Sequence, residues 1–284
     1  MSVSAPSVAV VGHIEWVQFA HVDHVPRAGE VVHARDMFDE PAGGGGVAAV
    51  QLARLAGSAV LVTALGEDEY GRRSQERLRE LGVDPHPAWR PAPTRRALTL
   101  VDDARERTIT TFGARLEPKG AEVEEVLPGD AEVGGIYFTA GDEAALRASR
   151  AAARVLVASP RARAALGHGV RLDALVLSGE DPIELDEVAN ARAEADLLVL
   201  TEGERGGRYV ERSGRSGRWT AVAPSAAPVD SYGCGDSFAA GLTFALAAGL
   251  DLDASLALAA RCGAVCVTGN GPYERQLTAR ELKG

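Results

Sequence analysis

The sequence predicts an α/β fold: a three-layer α/β/α arrangement with a mostly parallel central sheet and a small β lid. Two observations lead there. Short, solidly apolar, β-branched runs alternate with helical patterns along most of the 284 residues, which is how strands covered on both faces read. Two other stretches mix polar, aromatic and β-branched residues, and these suit a small sheet standing off the main body. The strand runs are Val8–Val11, Ala59–Ala64, Gly135–Phe138, Val155–Ala158, Ala174–Leu177 and Leu197–Leu200. Helical spacing predicts helices over Val47–Leu55, Arg72–Leu81, Glu143–Ala153, Pro182–Ala193, Ser237–Ala248 and Asp253–Thr268. The irregular stretches are Glu15–Asp36, with a turn at "PRAGE", and Arg96–Phe112, which reads as two strands joined by the charged turn "DDARER". A further hairpin, "RYVERSGRSGRWTAV", suits a sheet edge. No repeat, low-complexity tract or linker divides the chain, so residues 1–284 are expected to form one domain with lid segments at about 15–36 and 96–112.

A formal charge of −10 and a pI near 5.2 argue against nucleic acid or an anionic membrane as the main partner. A protein this negative must concentrate positive potential locally to hold an anion, and backbone amides do that without lysines. No apolar run is long enough to span a bilayer. The opening "MSVSAPSVAVVG" has no basic n-region, so no signal peptide is expected. The three cysteines are Cys234, Cys262 and Cys266; an odd number, two of them four apart in an apolar helical stretch, points to a reducing cytoplasm.

The stretch "VDSYGCGDSFAAGLTFALAAG", Val229 to Gly249, carries the sharpest signal. Gly233 and Gly235 can take backbone angles closed to other residues, and Asp236 stands at or beside a helix start. A glycine turn with an aspartate cap accounts for this structurally. An anion cradle of helix-terminal N–H groups accounts for it functionally. Cys234 at such a position would have a lowered pKa and raised reactivity. "EPAGGGGVAAVQLARLAG", Glu40 to Gly57, is a glycine run opening a helix; such a run suits a floor that a small polar ligand approaches closely. It matches neither a dinucleotide fingerprint nor a P-loop. "LTEGERGG" places Thr201, Gly203 and Gly206 at a strand exit, where a nucleotide's phosphates or an ordinary turn would fit. "SGEDPIELDE" crowds carboxylates at another exit, as a helix's first turn favours or as an outer-sphere magnesium site requires. His13, His21 and His24 lack metal-ligand spacing, and no nucleophile elbow is present.

Together these pieces resemble the PfkB, or ribokinase-like, family of carbohydrate kinases. "DSYGCGDSF" is similar to the family's D-T-x-G-A-G-D-x-F signature, with Ser231 for Thr and Cys234 for Ala. "VAVVG", "VPRAGE", the glycine-rich helix start, "LGEDEYG", "RTIT", "LTEGERGG" and "AARCGAVCVTGNG" follow in the family's order across nearly the whole chain. The resemblance implies a ribokinase-like fold and ATP-dependent transfer of the γ-phosphate to a hydroxyl of a sugar or sugar-like molecule. It implies Asp236 as catalytic base, an anion hole from the N–H groups of Gly233, Cys234, Gly235 and Asp236, and nucleotide contacts at Thr201, Gly203 and Gly206. Mg²⁺ would accompany ATP; Asp181 or Glu180 stands roughly where the family has N-x-x-E, not cleanly matched. Asp230 matches the aspartate that helps hold a monovalent cation, such as K⁺, in many members. A homodimer clasped through the lids is also implied.

The departures fall on the sugar side. Where the family often carries Asn and Asp after the first glycine, this chain has Glu15 and Val17, and Val47 stands where an Asn usually ends the diglycine motif. Ribose recognition in the usual way is therefore not expected. Glu15, Trp16, the floor Gly43, Gly44 and Gly45, and Val47 are the candidate substrate-side residues. A nucleoside kinase of the same fold and a non-catalytic sensor of a metabolite or nucleotide are the alternatives, with a dinucleotide-dependent oxidoreductase, lacking the fingerprint loop, further behind.

Overall fold

The computed structural model describes residues 5–187 and 191–282. In chain order the elements begin β1 (Val8–Val11), β2 (Glu15–His21), β3 (Asp36–Ala42), α1 (Gly43–Ala56), β4 (Ala59–Gly66), α2 (Glu69–Glu80) and β5 (Val83–Arg90). β6 (Arg96–Val101), β7 (Arg107–Phe112), α3 (Gly120–Val126), β8 (Val133–Phe138), α4 (Glu143–Ala152), β9 (Ala153–Ala158) and β10 (Leu172–Ser178) follow. The last are α5 (Pro182–Glu187), β11 (Ala195–Thr201), β12 (Gly207–Glu211), β13 (Ser216–Trp219), α6 (Cys234–Ala247), α7 (Leu252–Cys266) and α8 (Ala279–Leu282).

Nine strands make one sheet in the order β13-β12-β11-β10-β9-β8-β1-β4-β5, parallel from β11 to β5, with the β12–β13 hairpin antiparallel at the edge. The alternation of β1 shows why its run is solidly apolar. Val8 and Val10 pack in the core beneath α1, α6 and α7, while Ala9 and Val11 join the core beneath α3 and α4. Strands leave β1 in both directions, toward β8 and toward β4. Ligands of such sheets bind beyond the carboxyl ends at that reversal.

The lid is a separate four-stranded sheet in the order β3-β2-β6-β7; β2, β6 and β7 come from the two irregular stretches and β3 extends past the first of them. β3 begins at Asp36, where the first stretch was expected to end. β5, "VDPHPAWR", is not among the expected strands, because Pro85 and Pro87 read against one. It pairs only with β4, so the missing proline N–H groups fall on an edge. The helix expected over Pro182–Ala193 covers Pro182–Glu187; residues 188–190 lie outside the described residues, and Ala191–Glu194 is a tighter helical turn. α1 starts at Gly43 instead of Val47, so the glycine run is the helix's own first turn. No helix among the described residues is long and apolar enough to cross a membrane.

Candidate active site

The carboxyl ends of β1, β8, β9, β10 and β11 present His13, Tyr137, Ser159–Arg161, Ser178, Glu180, Asp181, Thr201 and Gly203. With the start of α6 and part of the lid they surround a cleft of about 620 Å³. Gly233 turns the chain into α6 with φ 80 and ψ 0, a left-handed conformation that glycine accepts without strain. A Cβ there would also come within 2.8 Å of Val47. The turn is held from below by Asp230, whose carboxylate accepts from Tyr232 N–H at 2.8 Å and from Gly271 N–H at 3.1 Å.

The first turn of α6 leaves its amides unspent. Cys234 N–H reaches the Ser231 carbonyl at a long 3.4 Å, and the N–H groups of Gly235 and Asp236 have no partner among the described residues. Gly233, Cys234, Gly235 and Asp236 all line the cleft. Asp236 is thus the third residue of the helix and not its cap. Its side chain is 11% exposed and meets the Arg161 guanidinium at 3.1 Å. That carboxylate is the chief reason the Arg161 pKa is raised.

The glycine floor divides. Gly43 and Gly44 line the cleft. A Cβ on Gly44 would stand 3.0 Å from the Asp236 Oδ1 and 3.1 Å from Arg161. Gly45 faces the β1 exit, where a Cβ would come within 2.7 Å of the His13 carbonyl oxygen, and Gly46 faces Tyr273. These two let α1 lie against its neighbours; the first two leave room beside Asp236.

The other expected substrate residues separate. Glu15, at the start of β2, lines the cleft and lies 3.3 Å from Arg95. Burial raises its pKa, opposed by Arg95, Arg161 and Arg115. Trp16, its neighbour, points to the other side of the lid. Its indole N–H donates to Asp39 at 3.0 Å, and the Arg73 guanidinium covers its ring at 4.3 Å. It does not stack on a ligand in this cleft. Val47 is fully buried under Gly233 and touches no cleft surface; packing against the turn decides its place. Val17 is likewise in the core.

On the opposite side, Thr201 and Gly203 line the cleft, with Gly203 at φ 55. Gly206 instead makes the turn into β12, where a Cβ would collide with the Trp219 carbonyl oxygen. Glu180 is paired with Arg205 at 2.5 Å. Asp181 caps α5 through Ile183 N–H at 2.9 Å. Glu184, which the sequence reading did not single out, accepts from Ser178 N–H at 2.8 Å and faces the cleft, its pKa raised by burial. Asp181 and Glu184 keep carboxylate oxygens toward the cleft, which suits a Mg²⁺ ion carried on phosphates and water. Among the described residues no group of three or more His, Cys, Asp and Glu side chains forms a metal cage. Asp230, the residue the resemblance assigns to a monovalent cation, accepts one backbone N–H on each oxygen.

The expectation of an activated Cys234 thiol is overturned. Its pKa is raised, first by a hydrogen bond with Cys266 and then by burial. Cys262 and Cys266 pack in the core as expected, and all three cysteines are free thiols.

Arg161 and its neighbours Arg95 and Arg115 went unnoticed in the sequence, although Arg161 directly follows a predicted strand. Arg107 did too: from β7 of the lid it donates to the Ser231 side chain at 2.7 Å and backbone carbonyl at 3.0 Å, over the start of α6.

The chain matches the model of the pfkB family of carbohydrate kinases over residues 5–165 and 171–279. It belongs to that family. This carbohydrate kinase is 28% identical over 282 residues to a fructokinase of Salmonella typhimurium, covering 84% of this chain and 90% of the relative. In structure it is similar to a microbiome-derived acarbose kinase, with TM-score 0.81, 21% identity and 98% of each chain covered. A ribokinase of Arabidopsis thaliana, solved with ribose and ATP, gives TM-score 0.75 at 19% identity over 98% of each chain. At these identities the structural likenesses show the ribokinase-like fold.

Proposed function

We propose that this kinase transfers the γ-phosphate of ATP to a hydroxyl of a sugar or sugar-like molecule, with Asp236 as the base. One observation carries the reading: a carboxylate and the unpartnered N–H groups of the same helical turn face one cleft at the carboxyl end of the sheet. A phosphoryl group against those amides has its growing charge held by fixed dipoles, and the acceptor hydroxyl beside it gives its proton to Asp236. Arg161, 3.1 Å from Asp236, can turn toward the migrating group and stabilise it. Thr201 and Gly203, which line the far side of the cleft, then lie along the nucleotide. Asp181 and Glu184 would hold Mg²⁺ through water, and the ion would neutralise charge on the phosphates. No step is assigned to potassium.

With Trp16 turned to Asp39 and Arg73, it offers no stacking surface for the base that a nucleoside kinase would bind in this cleft. A cytoplasmic location fits the free thiols, and a dimer through the lids fits the exposed Ile109 and Phe112 on β7; sedimentation of the purified chain tests the latter. ADP release across sugars, polyols and nucleosides, with Asp236→Asn as control, tests the activity. Turnover that vanishes in the variant supports it, and nucleotide binding without any turnover points to the sensor.

A further inference from the structure

The acceptor end of the cleft is built from guanidinium groups. In a chain of net charge −10, Arg95, Arg115 and Arg161 come from separate segments, before β6, after β7 and after β9, and all three line the same cleft. Their charges act together on His13 and on Glu15. Each is anchored at one edge. Arg95 lies 3.3 Å from Glu15, yet its buried Nε makes no hydrogen bond. Arg115 donates to Glu117 at 2.6 Å and to the Arg161 carbonyl at 2.7 Å. Arg161 lies against Asp236. A guanidinium has five N–H donors, so each anchor leaves donors for a ligand. The buried His13 ring, which lines the same cleft, also has an Nδ1 without a partner among the described residues.

A neutral polyol gives this arrangement little reason to exist. Sugar hydroxyls are well read by amide and carboxylate groups; of the three positions expected to offer them, two hold Val17 and Val47, both in the core, and the third, Glu15, is spent on Arg95. Each guanidinium already rests on one carboxylate, and the donors it has left, the orphaned Arg95 Nε among them, suit a planar oxyanion that takes them in pairs. Arg161 is set beside the base. Arg95 and Arg115 stand on the lid side, where the far end of an acceptor would lie.

We propose that the phosphate acceptor is itself an anion, a sugar phosphate or a sugar acid, with its oxyanion between Arg95 and Arg115 and a free hydroxyl toward Asp236. This rests on the kinase reading above and narrows it. The chemistry required is a carboxylate or phosphate on a polyhydroxylated chain, and the assay separates the two.

The test is ADP release with ATP over matched sets: glucose, gluconate and glucose 6-phosphate; fructose, fructose 1-phosphate and fructose 6-phosphate; and a 2-keto-3-deoxy sugar acid. The expected result is kcat/KM for an anionic member roughly a hundredfold above that for its neutral parent. Arg95→Gln and Arg115→Gln should each raise KM for the anion by roughly tenfold to a hundredfold, with much smaller effects on the neutral parent and on KM for ATP. Arg115→Lys should recover part of the loss. A neutral sugar preferred over every anionic member overturns the proposal and leaves the kinase reading standing. Equal losses for anionic and neutral acceptors in both glutamine variants overturn it too, since they mark a structural role. ATP binding without Asp236-dependent turnover on any member overturns both.

Discussion

Gly44→Ala separates stability from activity at one atom. Gly44 lies in the first turn of α1, with no positive φ, so alanine is compatible with its backbone. By helix propensity and lost unfolded-state freedom the change should stabilise the fold by up to about 1 kcal/mol. The new methyl, however, would sit 3.0 Å from the Asp236 Oδ1, 3.0 Å from the Thr139 Oγ1 and 3.1 Å from the Arg161 Nη1. Ordinary carbon–oxygen contact is roughly half an ångström longer, so the carboxylate and guanidinium must move apart by a few tenths of an ångström. The methyl also takes space through which an acceptor hydroxyl reaches the base. A misplacement of about 1 Å at reacting atoms costs on the order of a hundredfold. The expected loss in kcat/KM is therefore about tenfold or more, or about 1.4 kcal/mol in the barrier. Thermal melting and steady-state ADP release on the same preparation check this. Activity within twofold of the parent, at unchanged melting temperature, would mean that the reacting atoms do not pass beside Gly44.

Asp236→Asn should lower kcat by about 10² to 10⁴ while leaving the melting temperature close to that of the parent; a loss under tenfold would remove Asp236 as base. Gly233→Ala forces a left-handed alanine and a contact at 2.8 Å with the buried Val47, so about 2–4 kcal/mol of stability should disappear in urea unfolding. Arg107→Ala should weaken the lid's hold on Ser231 and raise KM for the acceptor severalfold with little change in unfolding midpoint; an unchanged KM would show the contact to be idle. Burial, with Arg115, Arg161 and Arg95 nearby, holds the His13 pKa well below the usual 6.5. The folded chain then binds fewer protons than the unfolded one as pH falls below 6.5, so stability present above that value is lost on acidification, by up to about 1.4 kcal/mol per pH unit. Glu15 and Glu184, whose pKa values are raised, act in the opposite sense above 4.5, so comparison with His13→Gln isolates the histidine. The variant should flatten the slope between pH 7 and 5; an unchanged slope would place the charge elsewhere.

The runs Val8–Val11 and Leu197–Leu200 announce themselves because a strand covered on both faces has no polar alternation, and local composition is enough to see it. The stretch around Gly233 to Asp236 is legible for a related reason. A left-handed turn into a helix, with amides left over, is a local event that a few adjacent residues specify. The ends of strands were legible as places but not as chemistry: the rule that ligands lie beyond them was available, yet Arg161 was read as an ordinary residue after a strand. β5 was hidden because its prolines are tolerable only at an edge, and edge position is a property of the sheet.

The sequence by itself determined the layered α/β architecture, three of the four lid strands and the helix start that faces the cleft. Only the tertiary structure decided that Trp16 and Val47 turn away from the cleft and that Arg95, Arg115 and Arg161 meet within it. The physical reason is one of range. Backbone angles and apolar periodicity are set by neighbours in the chain. Which side chains share a pocket depends on loops that meet only after the strands between them have found their order, and the sum of their charges exists nowhere along the sequence.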